Sequence, residues 1–149
     1  MPSRGIRVGC ACALALLALA GCALQPDSGL SATQARTQFY SALDKTQEAV
    51  GGAWDVFDDP TARGCVIPFW IEGEKFPGLR IGPAPRDPQA MAQQVDASWR
   101  SWGYTVARSR TGDVIELQAH DKGGALLVFR ASAMAMTLQG ESECRPRGE

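Results

Sequence analysis

The spacing of apolar positions changes several times along the chain, and each change marks an element. Residues 8–20 form an unbroken apolar and small-residue run without charge, preceded by Arg4 and Arg7. At about 1.5 Å per residue, a helix of this length falls short of the ~30 Å hydrocarbon core of a bilayer. A polar stretch with Pro26 and Gly29 follows. From Ser31 the spacing becomes helical: Ala35, Phe39, Ala42, Leu43, Thr46 and Val50 fall on one stripe. Ser31 and Gln34 have the spacing of a capping box, and Gly51-Gly52 stop the helix.

Period-two patterns follow. Residues 53–59 read as a short strand ended by Pro60. Residues 65–72 read as an edge or bulged strand, because Pro68 cannot donate to a ladder. Residues 75–85 are rich in glycine and proline and read as a loop with a brief strand at 79–82. A second helix starts at Asp87-Pro88, cap and first helical position. Ala92, Val95, Trp99 and Trp102 share its face, and Gly103 ends it. An antiparallel meander then covers 104–110, 113–120, 125–130 and 133–139. Ile115, Leu117 and Ala119 face one side of its second strand, with Glu116, Gln118 and His120 on the other. Met134, Met136 and Leu138 share one face of the last. The pattern predicts an α+β domain, with two helices on one face of a four- to five-stranded, mainly antiparallel sheet. The other face is partly polar and free to meet solvent or a partner.

The first apolar run has the parts of a secretory signal in order: two arginines, a short hydrophobic stretch, then small residues. It ends at Leu19-Ala20-Gly21-Cys22, the lipobox pattern of bacterial lipoproteins. Cleavage between Gly21 and Cys22, with a diacylglyceryl thioether on Cys22, is the expected processing. Two acyl chains at ~0.8 kcal/mol per buried CH₂ anchor stably. The expected organisation is a cleaved signal at 1–21, a lipidated tether at 22–30, one domain at 31–145 and a frayed tail at 146–149. A flexible tether of eight residues spans roughly 15 Å, which keeps the domain close to the membrane. The expected location is the extracytoplasmic face of the cell membrane.

Composition sharpens this reading. Cleavage leaves 128 of 149 residues, enough for one modest core, with a net charge of −3. An acidic surface lacks the electrostatic footprint of a nucleic-acid binder and offers no polybasic second anchor. Of five cysteines, Cys10 and Cys12 leave with the signal and Cys22 carries lipid. Cys65 and Cys144 remain, in an oxidising compartment, and are expected to form one disulfide. Arginine outnumbers lysine twelve to three and asparagine is absent, the bias of a GC-rich genome such as an actinobacterial one.

The segment Trp54-Asp55-Val56-Phe57-Asp58-Asp59-Pro60, followed by Cys65, resembles the small mycobacterial lipoproteins of the LppA type and their actinobacterial relatives. The likeness extends more loosely to the Leu138-x-Gly140-x-x-x-Cys144 ending. It implies a cell-envelope lipoprotein with a compact α/β domain and carries over no catalytic residue.

Candidate chemistry is thin. His120 is the only histidine, and no Gly-x-Ser-x-Gly motif is present. Adjacent strand aspartates, Asp58 and Asp59, point to opposite faces, which argues against a paired-carboxylate site. They read instead as a strand end before proline, Asp59 capping a turn and Asp58 accepting backbone hydrogen bonds. The spaced oxygen ligands of a calcium loop are missing. Lys75, Arg80 and Arg86 read as solvated loop residues. Most of the four tryptophans are expected in the core, and any left exposed would suit a membrane interface or a binding groove. The expected activity is therefore a non-enzymatic interaction or accessory domain of the envelope. It has no catalytic or metal-binding residues and no cofactor beyond the Cys22 lipid. Its contacts would be residues 73–86 and the polar sheet face, with an envelope protein as partner. The alternative is a carrier of a small apolar or lipid ligand held between sheet and helices.

Overall fold

The computed structural model describes residues 28–148. Cys22 and the Gly21–Cys22 cleavage site lie outside the described residues, as do residues 1–21 and most of the tether.

Helix α1 (Ala32–Val50) begins with the anticipated capping box: the Gln34 amide donates to Ser31 Oγ and the Ser31 amide to Gln34 Oε1. It ends at Gly51, whose amide donates to the Gln47 carbonyl. Helix α2 (Pro88–Ser101) is capped by Asp87, which accepts from the amides of Gln89 and Ala90. Nine strands accompany them: β1 (Asp55–Val56), β2 (Arg63–Ile67), β3 (Ile71–Lys75), β4 (Pro77–Gly82), β5 (Thr105–Thr111), β6 (Val114–His120), β7 (Leu126–Ala131), β8 (Met136–Glu141) and β9 (Arg145–Pro146).

They form two antiparallel sheets. The main sheet has six strands in the order β1-β4-β8-β7-β6-β5. The smaller has three, β2-β3-β9. The fold class is α+β as read from the pattern, but the sheet is larger than four or five strands. Beyond the meander, the main sheet gains β1, within the strand expected at 53–59, and β4, which lengthens the brief strand expected at 79–82. Pro68 breaks residues 65–72 into the two arms of a hairpin, with Ile67 opposite Ile71. The expected loop at 75–85 is mostly strand, because Pro77 and Gly78 are tolerated in a ladder closed by β8.

The two sheets share their chain. β3 runs into β4 through Phe76, and β8 runs towards β9 through Ser142. At this corner Phe76 and Ser142 exchange hydrogen bonds: the Phe76 amide donates to Ser142 Oγ and the Ser142 amide to the Phe76 carbonyl, each 2.9 Å. Cys65–Cys144 ties the same corner, with Cα atoms 6.1 Å apart. Gly73 lies beneath it, where a Cβ would come within 2.8 Å of Cys144 Sγ. Pro146, expected to begin a frayed tail, instead belongs to a strand paired with Gly73.

The core lies between the main sheet and the helices. Leu43, Trp99, Leu117, Leu127, Phe129 and Leu138 are fully buried there. Trp99 donates its indole N–H to Thr46 Oγ1, 2.9 Å away, and Thr46 donates to the Ala42 carbonyl. A polar edge inside an apolar layer is thereby satisfied. Met134 and Trp102 leave the faces predicted for them. β8 begins only at Met136, so Met134 sits exposed in the preceding turn. Trp102 lies past the last turn of α2 and is 40% exposed.

Candidate interaction surface

The strand register sets rows of side chains across the helix-free face of the main sheet. Leu79 is opposite Gln139, Gln139 opposite Val128, and Val128 opposite Gln118. Beside it runs the row Pro77, Glu141, Leu126 and His120. The β4, β8 and β7 members of these rows (Leu79, Gln139, Val128, Pro77, Glu141 and Leu126) floor a groove of about 390 Å³, with Phe57, Asp59 and Arg63 along its wall. On the helix side, by contrast, a gap lined by Leu30, Phe39 and Tyr104 holds about 10 Å³. That is room for one water at most.

The groove wall is held from behind by Arg80. Sequence reasoning placed Arg80 in a solvated loop, but it lies on β4 facing α1 and is buried. Its guanidinium donates to Asp58 Oδ2 through Nη2 at 2.7 Å and through Nε at 3.2 Å. Nη1 reaches Asp44 Oδ1 at 2.6 Å and Gln47 Oε1 at 3.1 Å. Burial opposes this charge, yet the hydrogen bonds that Arg80 donates to Asp58 and Asp44 outweigh it and hold the pKa above the ordinary arginine value. Asp58 thus accepts a buried cation, where backbone donors had been expected. Gly78 makes room for it, since a Cβ there would meet Leu43 at 2.6 Å and Asp58 Oδ1 at 3.1 Å. The Tyr40 hydroxyl lies 2.9 Å from the Asp59 carbonyl and 3.0 Å from that of Pro77, tying α1 to both sides of the wall. Burial, with Asp58 next, raises its pKa. Asp59 caps the turn as expected: the Thr61 amide donates to it at 2.9 Å and lowers its pKa.

The chain enters the domain at a second buried ion pair. Glu143 and Arg145 meet at 2.9 Å. Ser28 Oγ donates to Glu143 Oε1 at 2.7 Å, and Arg145 Nε donates to the Leu30 carbonyl at 2.6 Å. Residues 28–30, read as the end of a free tether, are therefore docked on the domain.

The hairpin tip is the most exposed apolar feature. Phe69 is 81% and Trp70 91% exposed, and both adopt left-handed backbone, with φ of 71° and 61°. Val66 and Ile71 beside them are also exposed. Trp70 is thus one of the tryptophans left outside the core. The signal was present in the sequence, as an uncharged run broken by proline between two β-prone arms.

His120 stands exposed at the end of β6, with Thr105 and Leu126 as strand neighbours. Among the described residues no group of three or more His, Cys, Asp or Glu side chains could hold a metal ion. No helix among them is long and apolar enough to cross a membrane.

No family model matches the chain, and no curated protein matches it. Among solved structures it is similar to the crystal structure of a DUF4853 family protein from Actinomyces odontolyticus, with a TM-score of 0.64 and 17% identity. The match covers 83% of this chain and 74% of that one. The two share a fold, and the neighbour comes from an actinobacterium.

Proposed function

We propose that this chain is an envelope lipoprotein, anchored through a diacylglyceryl thioether at Cys22 on the extracytoplasmic face of the membrane. Its domain serves as a non-enzymatic interaction or accessory module. The observation that carries the second statement is the contrast between the two faces of the main sheet. The helix side is packed shut around Trp99 and Phe129, which weighs against a lipid carried between sheet and helices. The open side keeps a groove of mixed polar and apolar lining whose wall is fixed by the Arg80–Asp58 pair. Its partner would be an envelope protein. The actinobacterial source of the structural neighbour supports an actinobacterial origin for the chain.

Mass spectrometry of the purified protein tests the anchor: the first residue should be Cys22 carrying diacylglycerol, and Cys22→Ala should leave the precursor uncut. Leu79→Glu should abolish cross-links between the groove and its neighbours in the native envelope without unfolding the domain. Turnover of an ester or peptidoglycan substrate that disappears on changing His120 or Asp58 would overturn the non-enzymatic reading. A lipid that co-purifies beneath the helices would favour the carrier.

A further inference from the structure

We infer that the Pro68-Phe69-Trp70 tip of the β2–β3 hairpin is a second membrane contact, inserting its aromatic pair into the lipid interface beside the acyl anchor. The inference rests on the anchored-lipoprotein reading and adds an orientation to it.

Three observations converge on the tip. Its run from Val66 to Ile71 contains no charge, and its two aromatic residues are almost entirely exposed. Tryptophan is suited to the headgroup level, where its ring is apolar and its N–H remains wet. Two to three strand residues beyond the last wet position project roughly 7–10 Å, comparable to the ~5–10 Å depth reached by interfacial segments.

The backbone supports display over packing. Phe69 and Trp70 both hold left-handed φ, a region where L-residues with large side chains are strained. Strain of this kind persists where the surroundings impose it, and it clusters at functional positions. Here the disulfide at Cys65 and the pairing of Gly73 with Pro146 fix the base of the hairpin.

The third observation is where the anchored end of the chain leaves the domain. Ser28 is bonded to Glu143, and Leu30 to Arg145, which pairs with Glu74 on β3. From Glu74 to Trp70 is four strand residues, about 14 Å. From Ser28 back to Cys22 is six residues, at most about 20–22 Å of chain. That reach is longer than the arm from Glu74 to the tip, and the chain docks beside the base of that arm, so one bilayer can hold both. The exposed acid Glu72 flanks the tip, so the contact is apolar insertion and not attraction to anionic headgroups.

The test uses the full lipidated protein in phosphatidylcholine vesicles, with and without brominated acyl chains. Mass spectrometry of the Cys22 peptide is run on the same sample. The expected result is tryptophan emission quenched by the brominated lipid, with the quenched component lost in Trp70→Phe and retained in Trp102→Phe. Phe preserves the apolar tip, so the variant removes the reporter and not the contact. Lipid on Cys22 with no quenched component at Trp70 overturns the proposal, leaves the anchor standing and assigns the tip to a protein contact. Absence of lipid on Cys22 instead sinks the anchor, and this orientation with it.

Discussion

Arg80 is buried almost completely, and Asp58 accepts two of its guanidinium N–H groups from the far side of the groove wall. The pair joins β4 to a segment that keeps only two residues in the sheet, Asp55 and Val56. Desolvating a guanidinium is unfavourable unless its donors are met, and here Asp58, Asp44 and Gln47 meet them.

Asp58→Ala should therefore destabilise by about 3 kcal/mol, the lower end for breaking a buried ion pair, because Asp44 stays in reach. Asp44 is the exposed partner, its side chain 69% accessible, so Asp44→Ala should lose less than about 1 kcal/mol. Urea unfolding of the two variants tests the ranking. Equal losses would mean that the buried pair does not govern the wall.

The disulfide closes a loop of 79 residues and ties the hairpin to the chain's last strand. In the chain-entropy model a loop of this size is worth about 4 kcal/mol. Cys65→Ser with Cys144→Ser should lower the melting temperature accordingly. Hydrogen exchange should rise first at Gly73 and Arg145, in the small sheet, ahead of the meander. A uniform rise would show that the two sheets unfold as one unit.

The meander was legible because it is local. β5 to β8 are joined by short turns, and β6 carries the clean alternation of one buried face. Both helices were legible from their caps and stripes, and the cysteine pairing from arithmetic alone. In the β2–β4 region strands were legible at 65–72 and 79–82, but their pairing was not. The region's partners, β8 and β9, lie 54 to 73 residues away, and Pro77, Gly78 and Gly82 are chosen for contacts that no local pattern contains. Gly82 is required because the Trp54 ring lies within 2.8 Å of where a Cβ would sit. Arg80 misled for the same reason: its burial depends on Asp44 and Asp58, from α1 and the end of β1. The groove, built across β4, β8 and β7, could not be read before the strand order was known.

Tyr104 should be the last tyrosine to ionise. Burial first, and the nearby Asp121 second, push its pKa to about 12 from an ordinary 10.0. The folded value is the higher one, so the native state keeps a proton that the unfolded chain gives up. This contribution is fully present below pH 10 and is lost as pH rises towards 12. Phenolate absorbance should accordingly show a late step near pH 12 that Tyr104→Phe removes. If Tyr104→Phe instead removes a step near 10, the ring is more hydrated than its place beside Phe39 and Ala125 implies.

Phe69 offers a separate test of what the hairpin tip is for. Left-handed backbone disfavours an L-residue by ~1–2 kcal/mol, while glycine adopts it freely. Glycine's greater freedom in the unfolded chain offsets ~0.5–1 kcal/mol of that gain. The side chain at stake is 81% exposed, so little burial is forfeited. Phe69→Gly should therefore raise stability by about 0.5–1 kcal/mol, seen as a higher midpoint in urea with an unchanged slope. A residue whose removal stabilises the fold is not there for the fold. If Phe69→Gly instead destabilises, the ring must pack on the hairpin in solution, and the tip would be a structural element held closed rather than one held out.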